Sequence, residues 1–490
     1  MTSDALANLS KTRFVAGLQC AKRLWWSVHE PGAAELEPDA ARQRIFTRGN
    51  CVGEIARTYV PGGVLIDLPH HETQQRVAAT AKALAAGAPV IYEASFLEDG
   101  VFVSVDILER EGSGHVLAEV KSTLDVKEEL LPDVAIQLHV VRKAGLTVRR
   151  AELMHLNREC RYPDLSNLFV RTPVTQQLGN LLRGAPEQAA SLRRMLRGPT
   201  PDVAPGGHCG APYDCPFLAR CWPPLPDHHI STLHRIHAKR LAKLLASGHT
   251  TLHDLSPADV STDLGRRQLR SVQTGNLIVE RGLARAIAAL REPIAYLDFE
   301  TINPAIPVWP GCAPYQQVPV QISCHVRTGG NLMAYAWLAD GQSDPRRPLA
   351  ERLLAACTGT RSIVAYNAPF EKRCIDTLAA ALPDLAPQLE QLSARLVDLL
   401  PIVRDHIYHP DFQGSFSLKS ILPALVSGLD YEDLEIQDGG TASGALEALL
   451  LESETLADTE RRTLRAALMR YCERDTLAMV RLHERLAELA

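Results

Sequence analysis

The sequence predicts an α/β protein built from two or three compact units. Its 490 residues exceed what one hydrophobic core normally supports, since domains usually hold about 50 to 250 residues. Strand-like and helix-like segments alternate from residue 291 to residue 490, which is typical of an α/β domain. Earlier in the chain, three strand-like runs separated by turn residues precede an amphipathic helix.

The N-terminal region contains the turn-separated strands. The runs VIYEASFL, VFVSVDILER and HVLAEVKST are divided by Glu-Asp-Gly and Gly-Ser-Gly, which predicts an antiparallel meander with tight turns. Between Lys127 and Ala144, apolar residues recur at spacings of three and four, which predicts a helix laid on the sheet. The run RRAELMHLN predicts one more strand after that helix.

Two segments follow before the α/β alternation begins. From Pro199 to Pro226 the chain is rich in Pro and Cys and has no helical or strand period, so we expect irregular structure held by other means. From Ile230 to Arg291 it is rich in Leu, Ala and Arg, and LAKLLASGHTTLHDL predicts a helix, a Gly turn and a second helix. This connector weakly resembles a helix-hairpin-helix backbone binder, and a plain spacer is the alternative.

The third region opens with the strand IAYLDFE. The runs PVQISCHV, NLMAYAWL, SIVAYNA and ARLVDLL predict further strands that alternate with helices. Near the C-terminus, YCERDTLAMVRLHERL predicts an amphipathic helix.

Composition limits the class of protein. Hydrophobic residues make up 46% of the chain, and no apolar run reaches the length of a membrane span. The start MTSDALANLSKTRF lacks the apolar stretch of a signal peptide, so we expect a cytoplasmic protein without a membrane partner. In a reducing compartment, the eleven cysteines are expected to bind metal or pack in cores rather than form disulfides.

Charge is unevenly distributed. The net charge of −5 argues against a surface coated for tight non-specific nucleic-acid binding, but it leaves room for a local basic groove. The first fifty residues are enriched in Lys and Arg, whereas residues 430 to 460 contain ten acidic residues and neither Lys nor Arg. Solvated faces at both places are the ordinary alternative. The N-terminal basic residues are Lys11, Arg13, Lys22, Arg23, Arg42, Arg44 and Arg48.

A first candidate active site lies in the meander. Glu119 and Lys121 stand two residues apart in AEVKS and therefore project from the same face of a strand, while Asp106 lies on the hairpin partner. Two carboxylates with backbone and water oxygens suit Mg²⁺ or Mn²⁺, and a neighbouring lysine can position the attacking water. This set suits phosphodiester hydrolysis, whereas Glu-x-Lys alone is more often a surface ion pair.

From about residue 10 to about residue 225, the chain closely resembles the PD-(D/E)XK nuclease core of RecB-like and CRISPR-associated exonucleases. The resemblance implies that Asp106 is the metal aspartate, Glu119 and Lys121 the (D/E)xK pair, and Gln137 in AIQLHVV the glutamine of the following helix. The family usually places a metal-binding His on its first helix. This chain has RGNCVGEIA there, so Glu54 is the candidate for that ligand.

Four cysteines form a candidate metal centre. Cys209, Cys215 and Cys221 follow a Cys-x5-Cys-x5-Cys spacing, and Cys20 lies far upstream in LQCAKRLWW. RecB-like nucleases with this one-plus-three arrangement carry a 4Fe–4S cluster, so the resemblance implies that the four thiolates hold one. The alternatives are a structural zinc site, with His208 as a ligand if Cys20 is not, and unligated core cysteines.

A second set of acidic residues occurs in the third region. Asp298 and Glu300 share one strand face in IAYLDFET, and two adjacent acids repel each other unless a cation joins them. Glu371 lies in the first turn of the helix predicted after the strand in VAYNAPFEKRC. On the C-terminal helix, Tyr471 and Asp475 are one turn apart and share a face.

These segments resemble the three motifs of DnaQ-like DEDD exonucleases, which have an RNase H-like fold, in the subgroup with Tyr in the third motif. The resemblance implies that two metal ions are held by four carboxylates, those of Asp298, Glu300, Glu371 and Asp475, with Tyr471 orienting the water. Most relatives have Asp where this chain has Glu371. Asp398 in ARLVDLLPIV is therefore either an outer acid or the actual third ligand.

The segment YHPDFQGSFSLKSILPAL, from Tyr408 to Leu425, lies outside that exonuclease pattern. Together with LDFET and YNAPFE, it resembles a bacterial family of uncharacterised proteins that fuse these two nuclease modules, over nearly the whole chain. In this segment Phe416 is a candidate for stacking on a base and Lys419 for meeting a phosphate. A core Phe and a surface Lys are the alternatives.

The sequence therefore predicts a fused nuclease. Residues 1–228 are expected to form a PD-(D/E)XK module with an iron–sulfur cluster, residues 229–290 a helical connector, and residues 291–490 an RNase H-like 3′→5′ exonuclease. Both modules would use Mg²⁺ or Mn²⁺, and single-stranded or unwound DNA is the expected substrate, with RNA as the open alternative. Repair or defence is the expected role, and any helicase partner is left open. The alternatives are a nucleic-acid-binding scaffold with one active site and a redox sensor based on the cluster.

Overall fold

The computed structural model describes residues 8–452, 454 and 456–490. The first seven residues of MTSDALANLSKTRF, on which the absence of a signal peptide is predicted, lie outside the described part. The architecture is mixed α/β, as the sequence predicts, and the chain divides into two compact units. The N-terminal unit extends to Pro224 and adds residues 305–307 and 312–315. The C-terminal unit comprises residues 225–304, 308–311 and 316–490, and thus includes the predicted connector. Within the described ranges, no helix is both long and apolar enough to cross a membrane.

The N-terminal unit contains a seven-stranded sheet. Its strands are β1 (Leu9–Ser10), β2 (Val64–Leu65), β3 (Val90–Glu98), β4 (Val101–Glu111), β5 (Gly114–Lys121), β6 (Val148–Leu156) and β7 (Phe169–Pro173). The order is β2-β3-β4-β5-β6-β7, with β1 beside β4. Strands β3, β4 and β5 form the predicted antiparallel meander, and β6 runs parallel to β5. Asp99 and Gly100 join β3 to β4 with positive φ angles of 48° and 69°, as a two-residue hairpin requires.

Helices cover this sheet. They are α1 (Lys11–Gln19), α2 (Ala21–His29), α3 (Ala40–Thr58), α4 (Thr73–Ala85), α5 (Leu131–Lys143), α6 (Gly179–Leu196) and α7 (Leu218–Cys221). The helix predicted between Lys127 and Ala144 corresponds to α5, preceded by the short 3-10 turn Glu128–Leu130. Val134, Leu138 and Val141 are fully buried in the main core of the unit. Residues 199–226 are largely irregular, as predicted, apart from the 3-10 turn Gly207–Cys209 and α7.

The C-terminal unit contains a five-stranded sheet. Its strands are β9 (Ile294–Ile302), β10 (Val318–Thr328), β11 (Asn331–Leu338), β12 (Ser362–Ala365) and β13 (Leu396–Asp398), while β8 (Ile278–Val279) pairs separately with β14 (Ile407–Tyr408). The sheet order is β11-β10-β9-β12-β13. The first three strands along the chain are antiparallel neighbours, and β12 and β13 run parallel to β9.

Ten helices accompany this sheet in the described part of the C-terminal unit. They are α8 (Ala238–Ala246), α9 (Asp263–Thr274), α10 (Leu283–Ala288), α11 (Arg346–Ala356), α12 (Pro369–Ala381), α13 (Ala386–Ser393), α14 (Leu399–His406), α15 (Leu418–Leu425), α16 (Gly439–Leu451) and α17 (Asp458–Leu489). Helices α11, α12 and α13 pack on one side of the sheet, because their buried Leu, Ile and Cys side chains share a core with β9, β10 and β12.

One helix predicted in the connector is absent. After α8 the chain turns at Gly248, whose φ is +85°, but the following segment forms only the 3-10 turn Leu252–Asp254. The Asp254 carboxylate accepts hydrogen bonds from the backbone N–H groups of Thr250 and Thr251 and so closes this turn. Pro257 then disfavours a helical conformation at Ser256, which is extended.

Candidate functional sites

The four candidate catalytic residues of the N-terminal unit lie at one place on the sheet. Glu119 is buried on β5, and its carboxylate accepts hydrogen bonds from Lys121 Nζ at 2.7 Å and from Gln137 Nε2 at 2.8 Å. On β4, the Asp106 carboxylate accepts a hydrogen bond from the backbone N–H of Val120 at 2.7 Å. The hairpin pairing of β4 with β5 and the packing of α5 on the sheet therefore bring these residues together.

Two further charged residues complete this site. Lys11 Nζ lies 2.8 and 3.0 Å from the two carboxylate oxygens of Glu119 and 3.8 Å from Oδ1 of Asp106. Asp133 accepts a hydrogen bond from Lys121 Nζ at 2.7 Å. Asp133 stands one helical turn before Gln137, so sequence spacing could have found it, whereas Lys11 is distant in the chain and carries no such signal.

Glu54, the candidate replacement for the family's His, lies on α3 and is exposed. Its side chain lines the same cleft as Asp106 and Glu119, a space of about 560 Å³. The structure thus places Glu54 in the wall of the site, and its role as a metal ligand stays a prediction.

The electrostatics of this cleft are nearly balanced. Burial alone would raise the pKa of Glu119, but Lys11 and Lys121 together hold that pKa well below its usual range. Burial and the neighbouring Glu119 raise the pKa of Asp106 to about 7, although Lys11 and Lys121 oppose this shift. Two lysines therefore offset much of the negative charge that a divalent cation would otherwise meet.

The four candidate cluster cysteines line one small cavity in the N-terminal unit. Cys20 lies at the junction of α1 and α2, Cys209 in the 3-10 turn, Cys215 in the following loop and Cys221 at the end of α7. His208 lines the same cavity, with its Nε2 3.8 Å from Cys209 Sγ. The structure therefore brings Cys20 next to the three cysteines of the Pro-rich segment.

The C-terminal unit contains a tighter acidic group. Asp298 and Glu300 on β9 and Asp475 on α17 each offer a carboxylate oxygen, and these oxygens lie within 4.8 Å of one another. Strand alternation puts the first two side chains on one face of the sheet, and α17 packs beside the same strand. In the described residues, this is the one group of three or more His, Cys, Asp or Glu side chains that is so close.

Glu371 faces the same site. It lies in the first turn of α12, is 3% exposed, and lines a cavity of about 430 Å³ together with the acidic group and Tyr471. Its Oε2 is buried and has no hydrogen-bond partner in the protein, an arrangement that costs free energy unless a ligand satisfies the atom. Asp398 instead caps α14, accepting hydrogen bonds from the backbone N–H groups of Asn367 and Leu400 at 2.9 and 3.0 Å. The geometry thus favours Glu371 over Asp398 as the third acid of the site.

Polar side chains contact the acidic group and the neighbouring Tyr471. The Tyr431 hydroxyl donates a hydrogen bond to Asp475, and Cys472 Sγ lies 3.3 Å from an oxygen of Asp298. Lys419 Nζ donates to the Tyr471 hydroxyl at 3.0 Å and lies about 5 Å from the centre of each of the two tyrosine rings. Lys419 is half-buried and contacts the site through Tyr471, and its contact with a phosphate stays a prediction. The sequence analysis did not identify Tyr431 or Cys472.

Phe416 does not face this site. It is 9% exposed and packs in an aromatic cluster with Tyr408 and Phe412, so the core alternative is confirmed and the base-stacking hypothesis is wrong. The segment Tyr408–Leu425 nevertheless contributes to the site, because α15 positions Lys419 over Tyr471.

Burial and mutual repulsion raise the pKa values of the acidic group. Burial and the neighbouring Asp475 raise the pKa of Glu300 to about 8, and burial raises the pKa of Glu371 to about 8. The pKa of Asp298 lies well above its usual range because of burial, Asp475 and Glu300. Since each carboxylate resists ionisation among the others, a bound cation would relieve the repulsion.

These shifts predict a pH dependence of stability. A carboxyl group whose pKa is higher in the folded than in the unfolded protein stabilises the fold at low pH and loses that contribution as the pH rises through its folded pKa. We expect the melting temperature of the metal-free protein to fall as the pH rises from about 5 to about 8 and to level off above that. In this range Glu300 and Glu371 are still protonated in the folded protein, whereas carboxyl groups in the unfolded chain are already ionised. Thermal unfolding in EDTA measures the slope. The double variant Glu300→Gln/Glu371→Gln should flatten it, and an unchanged slope would contradict this account.

The comparisons with known proteins do not identify an activity for this chain. The chain matches the family described as "Domain of unknown function (DUF2779)" over residues 295–417, a segment that includes Asp298, Glu300 and Glu371 but ends before Tyr471 and Asp475. A curated Mycoplasma pneumoniae (strain ATCC 29342 / M129 / Subtype 1) protein, "Uncharacterized protein MG366 homolog", is 24% identical over 212 residues, 39% of this chain and 32% of that protein. The chain therefore spans about a third of the length of that relative.

Among solved structures, the family B DNA polymerase from the hyperthermophilic archaeon Pyrobaculum calidifontis is similar at 12% identity over 79% of this chain and 44% of that chain. Its TM-score is 0.26, too low to carry an argument. The matches to the domain of unknown function and to the Mycoplasma protein are consistent with an uncharacterised bacterial family.

Proposed function

We propose that the protein is a metal-dependent nuclease that hydrolyses phosphodiester bonds in single-stranded or unwound DNA, for repair or defence, with its principal active site in the C-terminal unit. The observation that carries this proposal is the close approach of Asp298, Glu300 and Asp475 beside the unpartnered carboxylate oxygen of Glu371. A buried, all-carboxylate set suits the hard cations Mg²⁺ and Mn²⁺. The sheet order β11-β10-β9-β12-β13, with three antiparallel strands followed by two parallel ones, supports an RNase H-like exonuclease domain.

The proposed mechanism assigns each side chain a task. Bound Mg²⁺ or Mn²⁺ supplies a nucleophilic water at neutral pH and stabilises the leaving oxygen. Asp298, Glu300, Asp475 and Glu371 are the residues that would hold the ions. Tyr431 fixes the orientation of Asp475 through its hydroxyl. Lys419 holds the Tyr471 hydroxyl, which we propose orients the attacking water.

A second active site of the PD-(D/E)XK type is proposed for the N-terminal unit. The position of Asp106 and Glu119 on neighbouring strands, with Glu54 lining the same cleft, suits a single divalent cation. Lys121 is held by Glu119 and Asp133, so its ammonium group is ordered beside the site where a water would be activated. Gln137 keeps Glu119 in place from the buried side.

The four cysteines are proposed to hold a 4Fe–4S cluster with a structural role. Their shared cavity supports a common ligand. Sulfur ligands of one zinc ion lie about 3.8 Å apart, as follows from Zn–S bonds of about 2.3 Å in a tetrahedron. Nowhere in the described ranges do three Cys or His ligand atoms lie within 4.8 Å of one another, so the thiols are not arranged as a tetrahedral zinc site.

A second candidate function has one observation in its favour. The ammonium group of Lys11 lies against both carboxylates of the N-terminal site, where a cation would bind. This arrangement favours a scaffold in which the N-terminal unit binds nucleic acid and the C-terminal unit alone cleaves it.

One experiment separates these functions. The protein is purified without oxygen and assayed with Mn²⁺ on end-labelled single- and double-stranded DNA and RNA, as wild type, Lys121→Ala, Asp298→Ala and the double variant. We expect each single variant to lose a distinct set of products and the double variant to lose all cleavage. If Lys121→Ala has no effect and Asp298→Ala abolishes cleavage, the scaffold function is correct. Cleavage that persists in the double variant would refute the proposed nuclease.

A further inference from the structure

Helix α3 leaves large apolar side chains in solvent. Ile45 and Phe46 are 62% and 55% exposed, more than any other large apolar side chain in the described residues. They lie within Ala40–Gly53, a stretch with three arginines and no acidic residue in a chain whose net charge is −5. The exposed Phe46 side chain, with Arg42 one turn before it on the same face of the helix, forms a candidate contact surface for an anionic partner.

The exposed face continues the wall of the N-terminal cleft. Asn50, Gly53 and Arg57 line that cleft. Phe46 stands four residues before Asn50, and Arg42 four residues before Phe46, so all five positions fall on one face of the helix. Phe46 precedes Gly53 by seven residues, which corresponds to about 10 Å along the helix axis.

Space for a ligand is open along this face. A Cβ atom added at Gly49 or at Gly53 would meet no heavy atom within 4 Å, and both glycines line the cleft. Packing within the protein therefore does not require glycine at either position.

We infer that the face formed by Arg42, Phe46 and Gly53 is a track that guides a single nucleic-acid strand into the N-terminal cleft. The inference rests on the proposed function and names the surface along which a strand would reach the N-terminal site. Phe46 stacks on an unpaired base, which a duplex would keep inside its own stack, and Arg42 meets the phosphates on either side. A single strand offers flat apolar bases that match Phe46 and negatively charged phosphates that match Arg42.

Binding to a labelled 12-nucleotide oligo-dT tests the inference. Fluorescence anisotropy is measured in EDTA on the full chain carrying Lys121→Ala and Asp298→Ala, so that no cleavage occurs. Phe46→Ala is expected to weaken binding about 10-fold. Arg42→Ala is expected to weaken binding. It should also reduce the slope of log Kd against log salt concentration by about one. Gly53→Leu should also weaken binding, because its side chain adds bulk to the track at a position where the Cβ atom meets no heavy atom within 4 Å.

Matched variants elsewhere in the same unit serve as controls. Val170→Ala removes part of an exposed apolar side chain on β7, Arg183→Ala removes an arginine on α6, and Gly184→Leu adds a side chain within α6. All three should bind oligo-dT like the parent, and melting temperatures should show that every variant is folded.

Two results would overturn the inference. The first is a parent protein that binds oligo-dT while Phe46→Ala and Gly53→Leu bind it equally well. The second is loss of binding to phosphatidylserine vesicles in Phe46→Ala with oligo-dT binding unchanged, which would assign the face to a membrane surface. A parent that binds no oligonucleotide, together with a wild type that cleaves none, would instead refute the proposed function.

Discussion

Replacing Asp298 with asparagine is expected to lower Mn²⁺-dependent cleavage by the C-terminal unit by at least about 10³-fold. Asp298 offers a carboxylate oxygen within 4.8 Å of those of Glu300 and Asp475, and an amide removes its charge with little change of shape. The assay uses end-labelled single-stranded DNA and a Lys121→Ala background, so that only the C-terminal site contributes. Asp376→Asn, at an exposed position on α12, is the matched control and should retain full activity.

The same variant carries its own test for misfolding. Burial and the neighbouring acids raise the pKa of Asp298 well above its usual range, so the ionised side chain destabilises the metal-free fold. At about pH 8 in EDTA, Asp298→Asn should therefore melt at the same or a higher temperature than wild type. Wild-type activity in this variant, or a large drop in melting temperature accompanying the loss, would contradict the assignment.

Replacing Cys20 with serine is expected to give the largest loss of stability. Cys20 connects α1 and α2 to the Pro-rich segment through the shared cavity, and that segment has little regular structure of its own. Loss of one cluster ligand should remove bound iron and lower the melting temperature of the N-terminal unit by about 10 °C or more. Iron and acid-labile sulfide content, together with thermal unfolding, measure both effects.

Cys51→Ser is the control for the cysteine variant, because Cys51 is exposed on α3 and does not line the cavity. It should keep the iron content and melting temperature of the wild type. Equal iron content in the Cys20→Ser and Cys51→Ser proteins would exclude Cys20 as a ligand. Zinc in place of iron, from anaerobically purified wild type, would favour the four-Cys zinc alternative.

Local patterns predicted most of the fold. The meander and the strands of the third region follow from alternation and turn residues, and α5 follows from apolar spacings of three and four. All of these patterns act within a few residues along the chain. Glu119 with Lys121 and Asp298 with Glu300 were predicted as pairs for the same reason, since strand geometry fixes their common face. The second connector helix was mispredicted, because a local side-chain cap at Asp254 and the following Pro257 ended the turn early.

Contacts between distant segments escaped prediction. Lys11 reaches Glu119 across 108 positions, and Tyr431 reaches Asp475 across 44. No period or spacing encodes such contacts, because they depend on how helices pack on each sheet. The sequence left open whether Glu371 or Asp398 is the third acid of the site. The fold favours Glu371, because the Asp398 carboxylate caps α14.

The most direct test of the central claim is to locate the metal. A crystal of the protein soaked in Mn²⁺ and measured at the manganese absorption edge shows where ions bind without reference to activity. We expect anomalous density among Asp298, Glu300 and Asp475, with Oε2 of Glu371, which has no hydrogen-bond partner in the protein, as a further ligand. Density elsewhere in the protein but none at this acidic group, at a pH above the raised pKa values, would contradict the proposed active site.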